Sequence, residues 1–549
     1  MGAKSFGVIG GGVSGLAVAY EIRRNALASG TECNIHIFEK HPVIGGNADT
    51  VVVNLGNRVD ASGNSTPYHR WADLGVNDIN LAAYHRIEKI MKEIDFFDKD
   101  NPKLNKSMLP LENTETYFTW DNEVLLTDDQ ELQNGVSDPK FSMATMYGGN
   151  FIYWIGIVHK AADHVAGSQD NPNLETTVKQ FFDAIIANPK KELEPYTCTR
   201  EIDWDDPELK HILDEVRHHV FYPRISAMYF ANEDGPENML LAAPMRYYRI
   251  QESKDDGEAD RRYFVGGSTC WLKALLDNLL DKEVGKDLVK IEMHKNFPAR
   301  ASVAADHVVI SNAKDPANEF KVDQCIVTVH ADDAAELLKF DDSASPSTDR
   351  EAVIEMLESI SYVDSVGVCH SYSGMMPANR NQWRAYNVLI RKGQGLKPYN
   401  MTYLSNRHQN DSGEQQSEFY DYNRMGLPQY FVTLNPQRDI PDQYILSSVD
   451  PADLSEELRT ELPQLQDDSG QPAGYGRLAA GQPATTKFKH NLIDKKCFTA
   501  QKKLTNYHQS AKNLFFAGGW SLGSGLHEEC WQQAENVALL VMPVKNSPD

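Results

Sequence analysis

Residues 5–39 read SFGVIGGGVSGLAVAYEIRRNALASGTECNIHIFE, and this stretch decides the fold. The apolar run before Gly10 predicts a short buried strand, and the residues after Gly15 place apolar side chains at helical spacing. A second apolar run then leads to Glu39. Strand, glycine turn, helix, strand and acid therefore follow one another in the order of the dinucleotide-binding fingerprint G-x-G-x-x-G.

Each residue of this fingerprint has a physical task. Gly10 lets the chain turn sharply out of the strand, Gly12 leaves room for a pyrophosphate at the backbone, and Gly15 lets the helix pack close to the strand. The helix begins near Val13 and Ser14. Its free N–H groups and the positive end of its dipole favour phosphate oxygens. We therefore predict that these five residues bind a dinucleotide.

Glu39 lies 24 residues after Gly15, close to the spacing of about 20 found in such sites. A carboxylate at this position accepts hydrogen bonds from ribose hydroxyl groups. It would also repel a 2′-phosphate, so the motif argues against NADP.

Residues 39–46, EKHPVIGG, resemble the two-dinucleotide-binding flavoproteins, a large family that includes the amine oxidases and the phytoene desaturases. The resemblance implies FAD as cofactor, with Lys40, the pair Gly45 and Gly46, and Asn47 around its pyrophosphate. Relatives usually carry a basic residue after the glycine pair. Asn47 stands there in this chain, so that charge is missing.

Residues 513–540, NLFFAGGWSLGSGLHEECWQQAENVALL, form the second diagnostic stretch. A short strand enters Gly518 and Gly519, and a helix is predicted from about Leu526. In the same flavoproteins this segment brings a helix N-terminus to the flavin, where the dipole stabilises negative charge. The resemblance therefore implies cofactor contacts from both glycines, Leu526 and His527. Relatives usually have an acid where this chain has Gly519.

The motif G-x-G-x-H-E, formed by Gly523, Gly525, His527 and Glu528, is similar to a less characterised subgroup of predicted NAD/FAD-binding proteins. The resemblance further implies that the backbone of Val289, at the start of a predicted strand, touches the adenine ring.

The resemblance implies an α/β fold. Its Rossmann-like FAD-binding domain would have the three ββα layers of the glutathione reductase type, with an inserted α+β substrate domain. We assign residues 1–80, 260–335 and 487–549 to the FAD-binding domain, and residues 81–259 and 336–486 to the substrate domain.

The 549 residues carry a formal net charge of −24, which would repel nucleic acid and anionic lipid. The seven cysteines are scattered without a C-x-x-C pair, so we expect neither a disulfide framework nor a metal site. The chain shows no secretory leader and no apolar run long enough for a membrane span. We therefore expect a cytoplasmic protein without a transmembrane segment; its oligomeric state stays open.

His527 and Glu528 are the candidate catalytic groups beside the flavin. His527 suits an acid or base near neutral pH, or a hydrogen bond to the flavin pyrimidine edge. Many amine oxidases carry a lysine near the flavin N5 on a strand that matches residues 365–373, which contain none. His370 and Tyr372 are weaker candidates on that strand; the alternative is that they are core side chains.

Asp73 either lies near the isoalloxazine or caps the helix that follows it in the chain. Cys497 and Cys530 are the cysteines nearest the C-terminal motif, and neither sits in an attachment motif, so we expect non-covalent FAD.

Three functions remain open. The first is an FAD-dependent oxidoreductase that takes a hydride from a small, hydrophobic substrate and passes electrons to oxygen or another acceptor. The second is a redox-neutral isomerase of unsaturated fatty acids, and the third is a flavin-binding protein without activity. The missing lysine makes amine or amino-acid oxidation a secondary alternative within the first function.

Overall fold

The fold confirms the predicted α/β class. The computed structural model describes residues 3–59, 62–119, 121, 124–127, 150–168, 171–197, 201–229, 235–252, 259–285, 287–341, 347–390, 400–409, 429–450, 453–454, 458 and 477–544. None of the helices in these ranges combines the length and the apolar character needed to cross a membrane.

A parallel sheet of five strands forms the centre of the nucleotide-binding half. In sheet order its strands are Val289–His294, Cys33–Phe38, Lys4–Ile9, Gln324–Val327 and Leu514–Phe516. Every neighbouring pair is parallel. The carboxyl ends of these strands therefore meet at one edge, where α/β sheets bind their ligands.

Helices cover one face of the central sheet. The helices Val13–Ser29, Thr269–Leu280 and His527–Val541 share one apolar cluster with the side chains of Ile35 and Ile37. The first helix and the C-terminal helix also join through the Trp531 indole N–H, which donates to Glu21 Oε1 at 2.8 Å. The helical layer is thus held by apolar burial and a buried hydrogen bond.

A second sheet covers the opposite face and completes the three predicted layers. Its strands, in sheet order, are Asp315–Val322, Val308–Asn312, Ala299–Val303 and Leu338–Phe340. The two sheets approach closely at Gly7, where an added Cβ would overlap the Ile310 side chain. Residues 301–310 contribute to two of these strands, which pair antiparallel across a turn.

The substrate half is built on a seven-stranded mixed sheet. In sheet order its strands are Thr485–Asn491, Tyr362–His370, Phe431–Leu434, Asn400–Leu404, Tyr386–Ile390, Glu115–Thr119 and Val124–Thr127. Helices of this half are Asn150–Ala166, Val178–Ala187, Pro189–Leu193, Pro207–Val216, Tyr222–Tyr229, Gly235–Asn238 and Ala242–Tyr247. The strand Thr485–Asn491 pairs with Tyr362–His370 in this sheet, and the domain boundary predicted at residue 487 falls within it.

Two small sheets connect the halves. One pairs Thr50–Val59 with Ser65–Asp73, and the other contains Asp78–Asn80, Arg261–Phe264 and Met108–Pro110. In the described ranges the remaining α-helices are His85–Glu93, Lys282–Gly285, Ala331–Leu337, Ser347–Glu358, Ser405–His408 and Lys495–Ser510.

Candidate functional site

A cavity of about 940 Å³ lies between the carboxyl edge of the central sheet and the substrate half. Most residues predicted to bind the cofactor line it, namely Gly10, Gly12, Val13, Ser14, Glu39, Lys40, Gly45, Gly46, Asn47, Gly519, Leu526 and His527. The structure therefore brings together both diagnostic stretches, which are hundreds of residues apart in the chain.

The two glycine turns of the N-terminal motif face each other at the cavity. The Gly45 N–H donates to the Gly11 carbonyl at 3.1 Å, and a Cβ on Gly12 would lie 3.4 Å from Gly46 Cα. Gly15 lies behind this surface, where an added Cβ would overlap the Gly10 carbonyl oxygen. The turns thus form a side-chain-free cradle, backed by the close helix–strand packing that Gly15 permits.

Glu39 is buried at the wall and its carboxylate is held by the backbone. One oxygen accepts from the Gly11 N–H at 2.8 Å and the other from the His41 N–H at 2.9 Å. Each oxygen keeps a further lone pair. The carboxylate is therefore fixed in place with acceptor capacity left for a ligand.

Arg477 supplies the positive charge that is missing after the glycine pair, where Asn47 stands in place of a basic residue. Its guanidinium donates to the carbonyl of Gly46, and it lines the cavity. Lys487 and Lys489 line the same wall from the strand Thr485–Asn491. Sequence reasoning missed all three because they lie far along the chain from the glycine motif. The alternation of lysines in TTKFKHN was the available signal, since it puts both on one strand face.

His527 is the first residue of the C-terminal helix and is buried against the ring of Trp271, with the ring centroids 5.7 Å apart. Burial lowers the pKa of His527 to about 4, so its imidazole is neutral at physiological pH. Within the described part of the chain, its Nδ1 atom has no hydrogen-bond partner. This buried polar atom at the cavity wall is satisfied only if a ligand or water reaches it.

Glu528 faces away from the cavity, which argues against its predicted catalytic role. Its carboxylate accepts from the backbone N–H groups of Arg86 and Ile87, each at 3.1 Å, and also pairs with the Arg86 guanidinium. It therefore caps the helix His85–Glu93. The acid that shapes the site is its neighbour Glu529, whose Oε2 accepts from the Ser524 N–H at 2.7 Å.

Four further residues predicted to belong to the site do not line the cavity. Val289 pairs with Cys33 at the amino end of its strand, whereas the cavity lies at the carboxyl end. Gly518 does not line the cavity, although its neighbour Gly519 does. His370 is buried, with its Nε2 atom 2.7 Å from Thr433 Oγ1 and its Nδ1 accepting from the Tyr372 N–H at 3.1 Å. The histidine is therefore a satisfied core side chain, and Tyr372 lies outside the wall.

Asp73 caps a helix, although not the one that follows it in the chain. Its Oδ1 atom accepts from the Ser268 N–H at 2.9 Å and from the Thr50 hydroxyl at 2.5 Å. Ser268 is the N-cap of the helix Thr269–Leu280. Burial raises the pKa of Asp73 to about 7, although these hydrogen bonds oppose the shift.

The wall opposite the glycine cradle is rich in tyrosine and charge; we call it the substrate wall. Among the described residues it contains the tyrosines Tyr84, Tyr117, Tyr229, Tyr247, Tyr248, Tyr386 and Tyr403. Its charged residues are Asp78, Glu115, Glu252, Arg224 and Arg261. Four of these tyrosines, Tyr117, Tyr229, Tyr247 and Tyr248, come from the segment between residues 95 and 260.

A buried ion pair holds the substrate wall together. Arg261 donates to both oxygens of Asp78, at 2.8 and 3.0 Å, and to the Tyr386 hydroxyl at 2.9 Å. Burial alone would raise the pKa of Asp78, but the Arg261 guanidinium outweighs it and the pKa lies below its usual range. Arg261 and Asp78 lie on neighbouring strands of one small sheet, and the contact with the Tyr386 hydroxyl links them to the seven-stranded sheet. The wall is therefore a preformed surface.

Comparisons with known proteins agree with this architecture. Residues 8–94 match the family model of the NAD(P)-binding Rossmann-like domain. No curated protein sequence matches the chain significantly. Among solved structures, cyclohexylamine oxidase from Brevibacterium oxydans superposes with a TM-score of 0.52 at 13% identity, over 98% of this chain and 99% of that one. Wild-type putrescine oxidase bound to putrescine gives a TM-score of 0.47 at 11% identity, over 98% and 99%. The chain therefore contains a Rossmann-like nucleotide-binding domain and shares the overall fold of cyclohexylamine oxidase.

Proposed function

We propose that this protein is an FAD-dependent oxidoreductase that takes a hydride from a C–H bond of a small molecule. The observation that carries the proposal is one cavity with two unlike walls, a dinucleotide cradle on one side and a tyrosine-rich charged surface on the other. When bound, FAD supplies an isoalloxazine ring that accepts a hydride. Residues 1–80, 260–335 and the C-terminal segment would form the FAD half, and residues 81–259 and 336–486 the substrate half.

The residues of the cradle fit FAD. The turns at Gly12 and Gly46 would offer a pyrophosphate backbone without side chains at the cavity, and Arg477 adds a positive charge beside them. Glu39 retains acceptors for ribose hydroxyl groups and disfavours a 2′-phosphate. The unpartnered Nδ1 of His527 offers a hydrogen bond to an uncharged ring edge, beside a helix N-terminus that stabilises negative charge.

We also propose that the cofactor is held without a covalent bond. Cys530 lines the cavity, but burial raises the pKa of its thiol to about 12, and the thiolate is the nucleophilic form. Burial raises the pKa of the Cys497 thiol to about 12 as well, and Cys497 lies outside the wall. Acid precipitation should release all flavin into the supernatant. Flavin that stays in the pellet would contradict this assignment.

His527 acts here as a binding residue for the cofactor. Its neutral imidazole can donate or accept one hydrogen bond at the cavity. A group whose pKa is about 4 is a weak base at neutral pH, so we assign it no proton transfer.

The substrate wall favours an amine over the small hydrophobic substrate predicted from the sequence. Its three carboxylates and two guanidinium groups leave a formal charge of −1. Burial raises the pKa of Glu252, while the Arg261 guanidinium opposes the shift. An ammonium group would compensate this buried negative charge, and tyrosine faces attract cations. The fold shared with cyclohexylamine oxidase is compatible with oxidation at a carbon next to nitrogen.

The same wall disfavours the alternative of a fatty-acid isomerase. Arg224 pairs with Glu115, and Arg261 pairs with Asp78 and Glu252. A fatty-acid carboxylate would add a negative charge where the guanidinium groups already have partners.

Anaerobic titration of the flavin-loaded protein tests the proposal. The panel contains cyclohexylamine, its hydroxyl analogue cyclohexanol, amino acids and unsaturated fatty acids. Loss of the flavin absorbance with amines alone would support amine oxidation. Bleaching by alcohols but not by amines would support the proposed oxidoreductase activity and overturn the proposal that the substrate is an amine. A flavin that no compound bleaches, with rearranged double bonds in a fatty acid, would support the isomerase.

A matched substitution tests the substrate wall. Glu252→Gln should raise the KM for a reactive amine by about tenfold, since a charge-assisted contact is worth roughly 1.5–3 kcal/mol. The variant should leave FAD content unchanged, because Glu252 lies on the wall opposite the cradle. An unchanged KM would show that this carboxylate does not face the amine.

A further inference from the structure

Two histidines and a glutamate meet at the outer edge of the central sheet, outside the cavity. In the pairing of the edge strand Val289–His294 with Cys33–Phe38, His36 lies opposite Glu292 and Phe38 lies opposite His294. Side chains alternate along a strand, so His36, Glu292 and His294 project from one face. We call these three residues the edge cluster.

The ligand atoms of the edge cluster form a small triangle. His36 Nδ1 lies 3.2 Å from His294 Nε2 and 3.4 Å from Glu292 Oε2, and the latter two atoms are 3.7 Å apart. A tetrahedral zinc ion binds nitrogen and oxygen at about 2.0–2.2 Å, which separates its ligand atoms by roughly 3.3–3.6 Å. The triangle therefore matches one face of a zinc coordination tetrahedron.

The surroundings of the edge cluster also suit a metal ion. The histidine side chains are only 19% and 20% exposed, and Phe320 packs over His294 with ring centroids 4.5 Å apart. Glu292 is 62% exposed, which leaves an open side for access and for a water as fourth ligand.

Another group of metal-ligand side chains is less suitable. His330, Asp332 and Asp333 also lie close together. The Lys489 ammonium group, however, pairs with both carboxylates. The lysine therefore already neutralises part of the negative charge that a metal ion would need. Among the described residues, no lysine or arginine forms an ion pair with Glu292.

We propose that His36, Glu292 and His294 form a binding site for a zinc-type divalent cation. The ion would replace the hydrogen bond between the imidazoles and clamp the edge strand to the strand that leads into Glu39. The ends of these two strands are already linked by a hydrogen bond, in which the Glu39 N–H donates to the His294 carbonyl at 2.9 Å. The site would therefore stabilise the edge of the nucleotide-binding sheet.

Zinc titration of chelator-treated, FAD-loaded protein tests the proposal, with a chromophoric zinc indicator as competitor. We expect one ion per chain, and affinity lowered at least about tenfold by His36→Ala, His294→Ala or Glu292→Gln. The matched control is His307→Ala, which removes a histidine paired with Asp306 at 2.6 Å on an exposed turn. Zinc should also raise the unfolding temperature of the wild type but not of Glu292→Gln, whose exposed side chain is not needed for folding.

Co²⁺ in place of Zn²⁺ gives a second measurement. Intense visible absorption beyond the flavin bands would show tetrahedral coordination, and it should vanish in His294→Ala. The proposal is overturned if zinc binding does not saturate, or if the three variants bind as tightly as His307→Ala. Loss of binding in His330→Ala alone would likewise overturn it, because that result would place the ion at the other cluster.

Discussion

Arg477 illustrates how one residue can supply a charge that the local motif lacks. It lies 431 residues beyond Gly46 in the chain, yet its guanidinium contacts that glycine's carbonyl. Arg477→Ala should raise the Kd for FAD by about 10- to 100-fold, since a charge-assisted hydrogen bond contributes roughly 1.5–3 kcal/mol. Quenching of flavin fluorescence measures this affinity. Arg300→Ala changes a residue on the strand Ala299–Val303, away from the cavity, and should leave the affinity for FAD unchanged. Equal affinities of the two variants for FAD would contradict the role of Arg477 in binding it.

The buried imidazole of His527 makes a pH-dependent contribution to stability. Its pKa is about 4 when folded and near 6.5 when unfolded, so between these values only the unfolded state binds the proton. The folded state is therefore penalised as the pH falls from about 6.5 to 4. Chemical unfolding of FAD-free protein should show that His527→Gln lacks this loss. If the free energy of unfolding depended on pH in the same way for both proteins, the His527 imidazole would already take up its proton in the folded state.

At the scale of elements, Asp73 ties a strand to the start of the helix Thr269–Leu280, and its pKa shift has the opposite consequence. The folded pKa is about 7 and the unfolded value about 3.8, so the folded state retains the proton between them. The contribution of Asp73 to stability is thus greatest below about pH 4 and is lost as the pH rises towards 7. Asp73→Asn should gain stability relative to wild type over this range, by a few kcal/mol at most, since one pKa unit equals about 1.4 kcal/mol. A constant difference between the unfolding free energies would contradict the shift.

Short-range elements were predictable from the sequence, because their signals lie within a few residues. The strand predicted before Gly10 is Lys4–Ile9. The helix Val178–Ala187 also has a local signal, a capping box at Thr177. The helix predicted from about Leu526 begins at His527. Apolar periodicity and capping residues determine such elements locally.

The composition of the candidate site was only partly predictable. The glycines and Glu39 follow from one continuous motif, but Arg477 reaches the cradle through the tertiary fold. Glu528 was predicted beside the flavin because it follows His527. Successive residues of a helix point in different directions, however, and Glu528 faces the helix His85–Glu93 instead. Side chains that meet only through long-range packing leave no local signal.

At the scale of the whole molecule, the cavity joins the nucleotide-binding half to the substrate half, so cofactor binding should stabilise the chain as a unit. A ligand present at 100 times its Kd adds about 2.7 kcal/mol to the folded state. FAD should therefore raise the unfolding temperature in calorimetry. Gly12→Val should lose this response, because its side chain would occupy the space between Gly12 and Gly46. A full FAD response in Gly12→Val would contradict the cradle assignment.

The order of strands in the central sheet has a consequence for protein synthesis. The strand Lys4–Ile9 leaves the ribosome before the other four strands of this sheet, yet the sheet is complete only when Leu514–Phe516 pairs with Gln324–Val327. The helix His527–Val541, which carries one wall of the cavity, emerges later still. The nascent chain must therefore hold an unfinished sheet edge while several hundred residues are translated. Chaperones that bind exposed strand edges should have their longest opportunity to act on this protein during that interval.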